Sequence, residues 1–292
     1  MNRLGRMAAA LAAGVMMAVT PLAAQAAIDV VAGENVYGGI AETIGGSHVT
    51  VTSILSNPMQ DPHSFEASPS TARALAGASL VIVNGIDYDP WMNDLLSANA
   101  ADHRRVVVVA DLLKRKSGDN PHLWYDSAAA PAVASAIAQA LEETDAANAA
   151  DYAANLKSFL ATLAPVQARI AALKAKYAGT PVTASEPVVG LLASALGFNM
   201  RNEAFQTAVM NDTEPSASSV AAFESDLKNH KVAILFYNDQ VTDEVTDRLL
   251  ALAKKSGVAI VGVQETQPAG KTFPQWMMAT LDAIEGALAR KP

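Results

Sequence analysis

Two histidines of this chain stand in the same local frame. Asp61-Pro62-His63-Ser64-Phe65 and Asn120-Pro121-His122-Leu123-Trp124 each run polar residue, proline, histidine, then an aromatic two residues beyond. Proline fixes its own φ and pushes the residue before it toward extended backbone, so each imidazole sits on a stiff loop before anything binds. Neutral imidazole is the commonest protein ligand for a transition metal. A single loop histidine is ordinarily a surface residue, but two of five in one frame point to a shared ion. His48, His103 and His230 lack the frame and read as surface residues.

A metal held by two imidazoles needs further donors, and the second half of the chain offers acids at strand ends. Glu186 directly precedes Pro187, where a helix start stabilises a charged carboxylate, the ligand form. Glu265 follows the apolar run Val258 to Val263, Asp239 follows Lys231 to Tyr237, and Asp212 lies in a polar loop. Acids in loops are usually only solvated, and composition does not choose among these. The chain has no cysteine, which removes thiolate ligands, disulfides and a lipid-modified cysteine. It also lacks a phosphate-cradling glycine loop, a Gly-x-Ser-x-Gly elbow and a His-Glu-x-x-His helix. A zinc hydrolase built on two histidines and a glutamate is the rival reading. Against it, no additional general base stands near the candidate ligands.

The elements that must position these groups follow an alternating rhythm. Strands are expected at 28–32, 49–55, 79–84 and 105–110, with helices after the first, at Ser68-Pro69 and at 90–98. Residues 127–178 turn helical, with a break at 145–148 and a single long helix over 149–176 that Pro165 should bend. The rhythm restarts with strands at 181–184, 204–209, 231–237 and 258–263, and helices at 186–197, 216–229, 241–255 and around Trp276. Strands alternating with helices imply parallel pairing, with ligand groups at the carboxyl ends of strands. The fold class is α/β, with two α/β lobes of mainly parallel sheet joined by one long linking helix. The divisions are 27–126, 127–178 and 179–292, after a segment 1–26.

That first segment reads as a cleavable export signal, with Arg3 and Arg6, an apolar stretch over 7–19 and Ala24-Gln25-Ala26 as the cleavage site. Nothing later is apolar for long enough to span a membrane, so a soluble periplasmic protein without stable membrane insertion is expected. Removing residues 1–26 leaves 19 basic against 29 acidic residues, a formal charge of −10. Such a balance disfavours nucleic acid and anionic lipid and suits a cationic ligand.

The run from Asn57 to Ser70, containing Asp61-Pro62-His63, resembles the first-ligand segment of the periplasmic receptors of zinc- and manganese-type ABC importers. Asp119 to Asp126 resembles their second-ligand segment, and Asp151 to Asn155 the start of their linking helix. The similarity covers essentially the whole chain after residue 26. It implies two α/β lobes joined by a long helix, with a metal in the cleft between them. His63 and His122 then fall on the first two ligand positions, Glu186 on the third and Glu265 on the fourth, where the family usually has Asp. Glu at the third position resembles the manganese-type receptors, where the zinc type has His, and the His- and acid-rich loop of many zinc receptors is absent. The resemblance therefore favours Mn²⁺ over Zn²⁺, with Fe²⁺ also compatible with the donors. It implies a monomeric receptor, not an enzyme, delivering its metal to an inner-membrane permease.

Overall fold

The computed structural model describes residues 26–58, 62, 65–102, 104–241 and 244–289. Residues 1–25 of the expected export signal, His63 and His103 lie outside the described residues. Strands β1 (Ile28–Glu34), β2 (Val49–Leu55), β3 (Leu80–Val83) and β4 (Arg105–Val108) form a parallel sheet in the order β2-β1-β3-β4. Strands β5 (Pro181–Ala184), β6 (Asn199–Arg201), β7 (Ile234–Asn238) and β8 (Ala259–Val263) form a second, in the order β6-β5-β7-β8. The two sheets therefore repeat one topology. Parallel strands need crossovers, and those of the first sheet include α1 (Asn35–Gly45), α2 (Pro69–Gly77) and α3 (Pro90–Ala98). α2 is started as the sequence indicates: Ser68 accepts the Thr71 N–H and the Thr71 hydroxyl returns to the Ser68 N–H, with Pro69 in the first turn.

After the short α4 (Val109–Leu112), α5 (Ala129–Thr144) leads into α6 (Ala149–Tyr177). At 29 residues α6 is about 43 Å long, and Pro165 lies inside it. Its amino-terminal half is tied to the first lobe, with Asn155 donating to the Ile44 carbonyl at 3.0 Å and His48 Nε2 3.0 Å from Asp151. Its carboxyl-terminal half is tied to α11 (Phe273–Ala289) by Arg169 to Asp282 and Glu285, at 2.8 and 2.6 Å, and by Lys176 to Glu285. The linking helix thus belongs half to each lobe. One apolar core runs through both, and where Trp124, Tyr125, Leu163, Val166, Leu192 and Phe273 meet it leaves a cavity of about 30 Å³. Such a gap holds no more than a water or two.

The second lobe departs from expectation at two elements. Residues 204–209 form part of a helix, α8 (Glu203–Met210), where a strand was expected, and the edge strand is the preceding β6. Ala204 to Val209 is short and apolar, and such runs do not distinguish strand from helix by periodicity. Helical spacing buries Phe205 against Phe223, ring centroids 4.8 Å apart, on α9 (Ala217–Lys228). Asn202, at φ 62°, turns the chain from β6 into α8. The helix expected from Glu186 is also shorter, a 3-10 turn at Pro187–Val189 and then α7 (Gly190–Ala195). A stub of that length has little dipole, so the charge of Glu186 depends on other contacts. α10 (Glu244–Ser256) completes the second lobe. Among the described residues no helix is long and apolar enough to cross a membrane.

Candidate metal centre

His122 follows β4 and α4 on the loop that leads to α5, and it is fully buried. Asn120, at the polar position of the Asn-Pro-His frame, sets its orientation. Asn120 Oδ1 accepts from the His122 backbone N–H at 3.0 Å and lies 2.8 Å from His122 Nδ1. An amide oxygen only accepts, so Nδ1 carries the proton and Nε2 presents its lone pair. The Asn120 amide nitrogen donates across the cleft to the Pro187 carbonyl at 2.6 Å. Gly190 makes room for this, since a Cβ there would fall 2.7 Å from Asn120 Nδ2. The aromatic two residues on, Trp124, meets the His122 ring edge-on with centroids 5.5 Å apart, and Tyr88 packs against both. In the first frame Phe65 packs on Trp91 at 4.6 Å.

Glu265 enters from the second lobe just past β8 and is 1 % exposed. Its Oε2 lies 3.3 Å from His122 Nε2 and accepts the Tyr88 hydroxyl at 2.9 Å. Gln240 receives the Glu265 and Thr266 backbone N–H groups, at 2.5 and 3.1 Å, and so fixes the loop that carries the carboxylate. Glu186, at the end of β5 and 2 % exposed, joins through Asn238, whose amide nitrogen donates to Glu186 Oε2 at 3.2 Å and Glu265 Oε1 at 2.7 Å. Asp239 is exposed on the same strand end and interacts with Gln264 at 3.3 Å. Asp212 is an exposed turn residue at φ 50°. The geometry therefore brings His122, Glu186 and Glu265 to one buried region and leaves Asp239 and Asp212 outside it. Among the described residues no three His, Asp or Glu side chains close around an ion by themselves.

A lone pair on His122 Nε2 facing a carboxylate oxygen at 3.3 Å places two acceptors opposite one another. A cation between them, or a proton, relieves that opposition. The donor set of imidazole nitrogen and carboxylate oxygen fits a borderline or hard divalent metal. Burial raises the Tyr88 phenol well above its ordinary range, and the Glu265 charge beside it adds to the effect, so it stays a neutral donor. Tyr88 is held by a tight loop in which Gly85, Ile86 and Asp87 all have positive φ and Asp89 accepts the Asn84 and Gly85 N–H groups at 2.8 Å each. Positive φ at a β-branched residue such as Ile86 costs of order 1–3 kcal/mol and is tolerated where surroundings over-determine it.

Further bonds clasp the lobes around this region. Tyr125 donates to the Gln264 carbonyl at 3.0 Å, and Asn35 exchanges two hydrogen bonds with the Gln267 backbone at 2.8 and 2.9 Å. Sequence reasoning missed Tyr88, Asn238 and Gln240 as site residues. Only Asn120 carried a signal, its place two before the histidine.

Two parallel-sheet lobes on a shared helix, with a buried set of nitrogen and oxygen donors between them, suit a receptor that encloses a small cation. Residues 30–287 match the family model described as the zinc-uptake complex component A, periplasmic, and the chain belongs to that family. It is a solute-binding receptor of a metal ABC importer and not an enzyme. Among its relatives, the metal ABC transporter substrate-binding lipoprotein SsaB of Streptococcus sanguinis is 24% identical over 288 residues, covering 90% of each chain. The manganese-binding lipoprotein MntA of Bacillus subtilis is 33% identical over 92 residues, 29% of this chain and 30% of that one. The fold is that of the periplasmic zinc-binding protein TroA of Treponema pallidum, with a TM-score of 0.76 and 19% identity over 89% of this chain and 99% of that one. Unlike relatives named as lipoproteins, these 292 residues contain no cysteine to carry a lipid.

Proposed function

We propose that this receptor captures one divalent transition metal, Mn²⁺ or Zn²⁺ with Fe²⁺ also compatible, between its lobes and hands it to an inner-membrane permease. His122 and His63 are the first-lobe ligands, and Glu186 and Glu265 those of the second. The observation that carries this reading is the 3.3 Å approach of His122 Nε2 to Glu265 Oε2 across the cleft, with Asn120 holding the Nδ1 side of the ring. The lobes are taken as 27–126 and 179–292, the linking region as 127–178, and the working form as a monomer freed in the periplasm by cleavage after residue 26.

Binding and release follow from the split donor set. Closing the cleft completes the shell, and parting the lobes removes half of it. Because α6 is fastened to both lobes, the motion is a modest rocking about one helix rather than a wide hinge. A permease that grips both lobes has to break the hydrogen bonds that join them and loosen the aromatic contact of Tyr125 with Trp276.

The test is metal retained after dialysis at one ion per chain, with no turnover of generic peptide or ester substrates. Metal bound to the native state raises stability by RT ln(1 + [L]/Kd), about 4 kcal/mol at a thousandfold excess over Kd. His122→Ala should abolish tight binding while the fold persists. A melting temperature indifferent to Mn²⁺, Zn²⁺ and Fe²⁺ alike would overturn the reading.

A further inference from the structure

The loop that carries Glu265 is held from the first lobe as well as from its own. Tyr125 donates to the Gln264 carbonyl at 3.0 Å, Tyr88 reaches Glu265 Oε2 at 2.9 Å, and Asn35 takes both main-chain groups of Gln267. Asn35 opens α1 just past β1, at the cleft end of the first sheet. Its Oδ1 accepts the Gln267 N–H at 2.8 Å and its Nδ2 donates to the Gln267 carbonyl at 2.9 Å. A carboxamide carries an acceptor beside a donor, so it pairs with the N–H and C=O of one residue as a neighbouring strand would. One helical turn on, a Cβ at Gly39 would stand 3.1 Å from Gln267 Nε2, so the glycine lets that side chain lie against α1. Gln267 Nε2 in turn donates to the Lys271 carbonyl at 2.8 Å, which keeps residues 267–271 folded as one loop.

None of the atoms in the Asn35–Gln267 pair belongs to the proposed metal donors. The pair therefore adds the same stability to the closed receptor whether or not the cleft holds an ion. Where the closed form predominates in both, a contact of equal weight leaves affinity unmoved. Rates respond differently. His122, Glu186 and Glu265 are each at most 2 % exposed, so an ion enters or leaves only when the lobes part. Parting requires the pair to break, in both directions of exchange.

We propose that Asn35 is a positioning residue that latches the Glu265 loop to the first lobe and sets the speed, not the strength, of metal exchange. This rests on the receptor reading above. Tyr88 acts differently, because it touches a carboxylate oxygen that also approaches His122, and its loss alters affinity as well. Two neutral hydrogen bonds together are worth roughly tenfold in an equilibrium constant, so the parted population should rise by about that factor without them.

The experiment follows Zn²⁺ and Mn²⁺ in wild type, Asn35→Ala and Tyr125→Phe. Stopped flow gives release into excess chromophoric chelator and capture of limiting metal, and chelator competition gives Kd. Asn35→Ala should release and capture metal roughly tenfold faster, with Kd within about threefold of wild type. Tyr125→Phe removes the single bond to Gln264 and should speed both steps by about threefold. Unchanged rates would reduce Asn35 to a structural residue and overturn the inference. Faster release with unchanged capture and a matching rise in Kd would mean that the pair serves the metal-bound form alone, and would overturn it too. Phenylalanine at 125 keeps a ring to pack on Trp276, so Tyr125→Phe decides the question if Asn35→Ala fails to fold. Wild type binding neither metal would instead refute the receptor reading itself.

Discussion

Changing Glu265 to Gln and Asp239 to Asn, separately, discriminates the two acids that follow neighbouring strands. Glu265 is buried, takes the Asn238 amide on Oε1 and the Tyr88 hydroxyl on Oε2, and faces His122. A glutamine can keep its oxygen toward Asn238 Nδ2 at 2.7 Å, which puts its NH₂ where Oε2 stood. Tyr88 can then accept in place of donating, so the packing survives, but the group facing the ion is now a donor and no longer a ligand. The effect must exceed that of losing an outer partner, roughly 10–100-fold, so the expected loss is more than about a hundredfold, or about 2.7 kcal/mol. Asp239 is exposed, and among the described residues its side chain accepts one hydrogen bond, from Gln264 at 3.3 Å. Its change to Asn should stay within about 0.5 kcal/mol, roughly twofold in Kd. Chelator competition at one pH, with the metal-free melting temperature of each variant as a folding control, measures both. Glu265→Gln binding within about threefold of wild type, or Asp239→Asn costing more than Glu265→Gln, would refute the assignment.

Glu34, 2 % exposed, has its acidity pushed well down by burial and by the neighbouring Asp89 charge. Its folded pKa is raised, so the folded chain keeps a proton that the unfolded chain loses, and stability falls as pH rises above the ordinary carboxyl range. Glu34→Gln should therefore be more stable than wild type in denaturant melts at pH about 8, with the difference gone near pH about 4. Asp226 shows the opposite sign: the hydrogen bonds from Arg201, at 2.7 and 3.0 Å, hold its pKa below the usual range. Its contribution is present above the unfolded carboxyl value and is lost as pH falls through the lowered folded one. Asp226→Asn should cost about 1–1.5 kcal/mol near neutrality, the low end for a charged hydrogen bond because Arg201 is partly exposed, and nothing in strong acid. Metal affinity should weaken on acidification through about pH 6, because imidazole ligands bind only when neutral, and a Kd flat across that range would count against histidine ligation.

The local sequence determined much of this molecule. Pro-His frames, the Ser68-Pro69 helix start and the apolar runs of β1, β3, β5 and β7 act through backbone sterics and periodicity, which neighbours in the chain suffice to express. His122 was legible for that reason, and Glu186 and Glu265 were legible as acids at strand ends. Strand position alone could not rank Glu265 against Asp239, since both follow parallel strands, and only the family resemblance favoured Glu265. The tertiary structure separates them because Gln240 turns the loop after β8 inward while Asp239 stays at the surface. The same holds for residues 204–209, whose composition suits strand or helix alike. Packing of Phe205 on Phe223 selects the helix. Asn238 and Tyr88 had no signal of their own, because their partners lie 27 to 177 residues away and only folding brings those partners within hydrogen-bond reach.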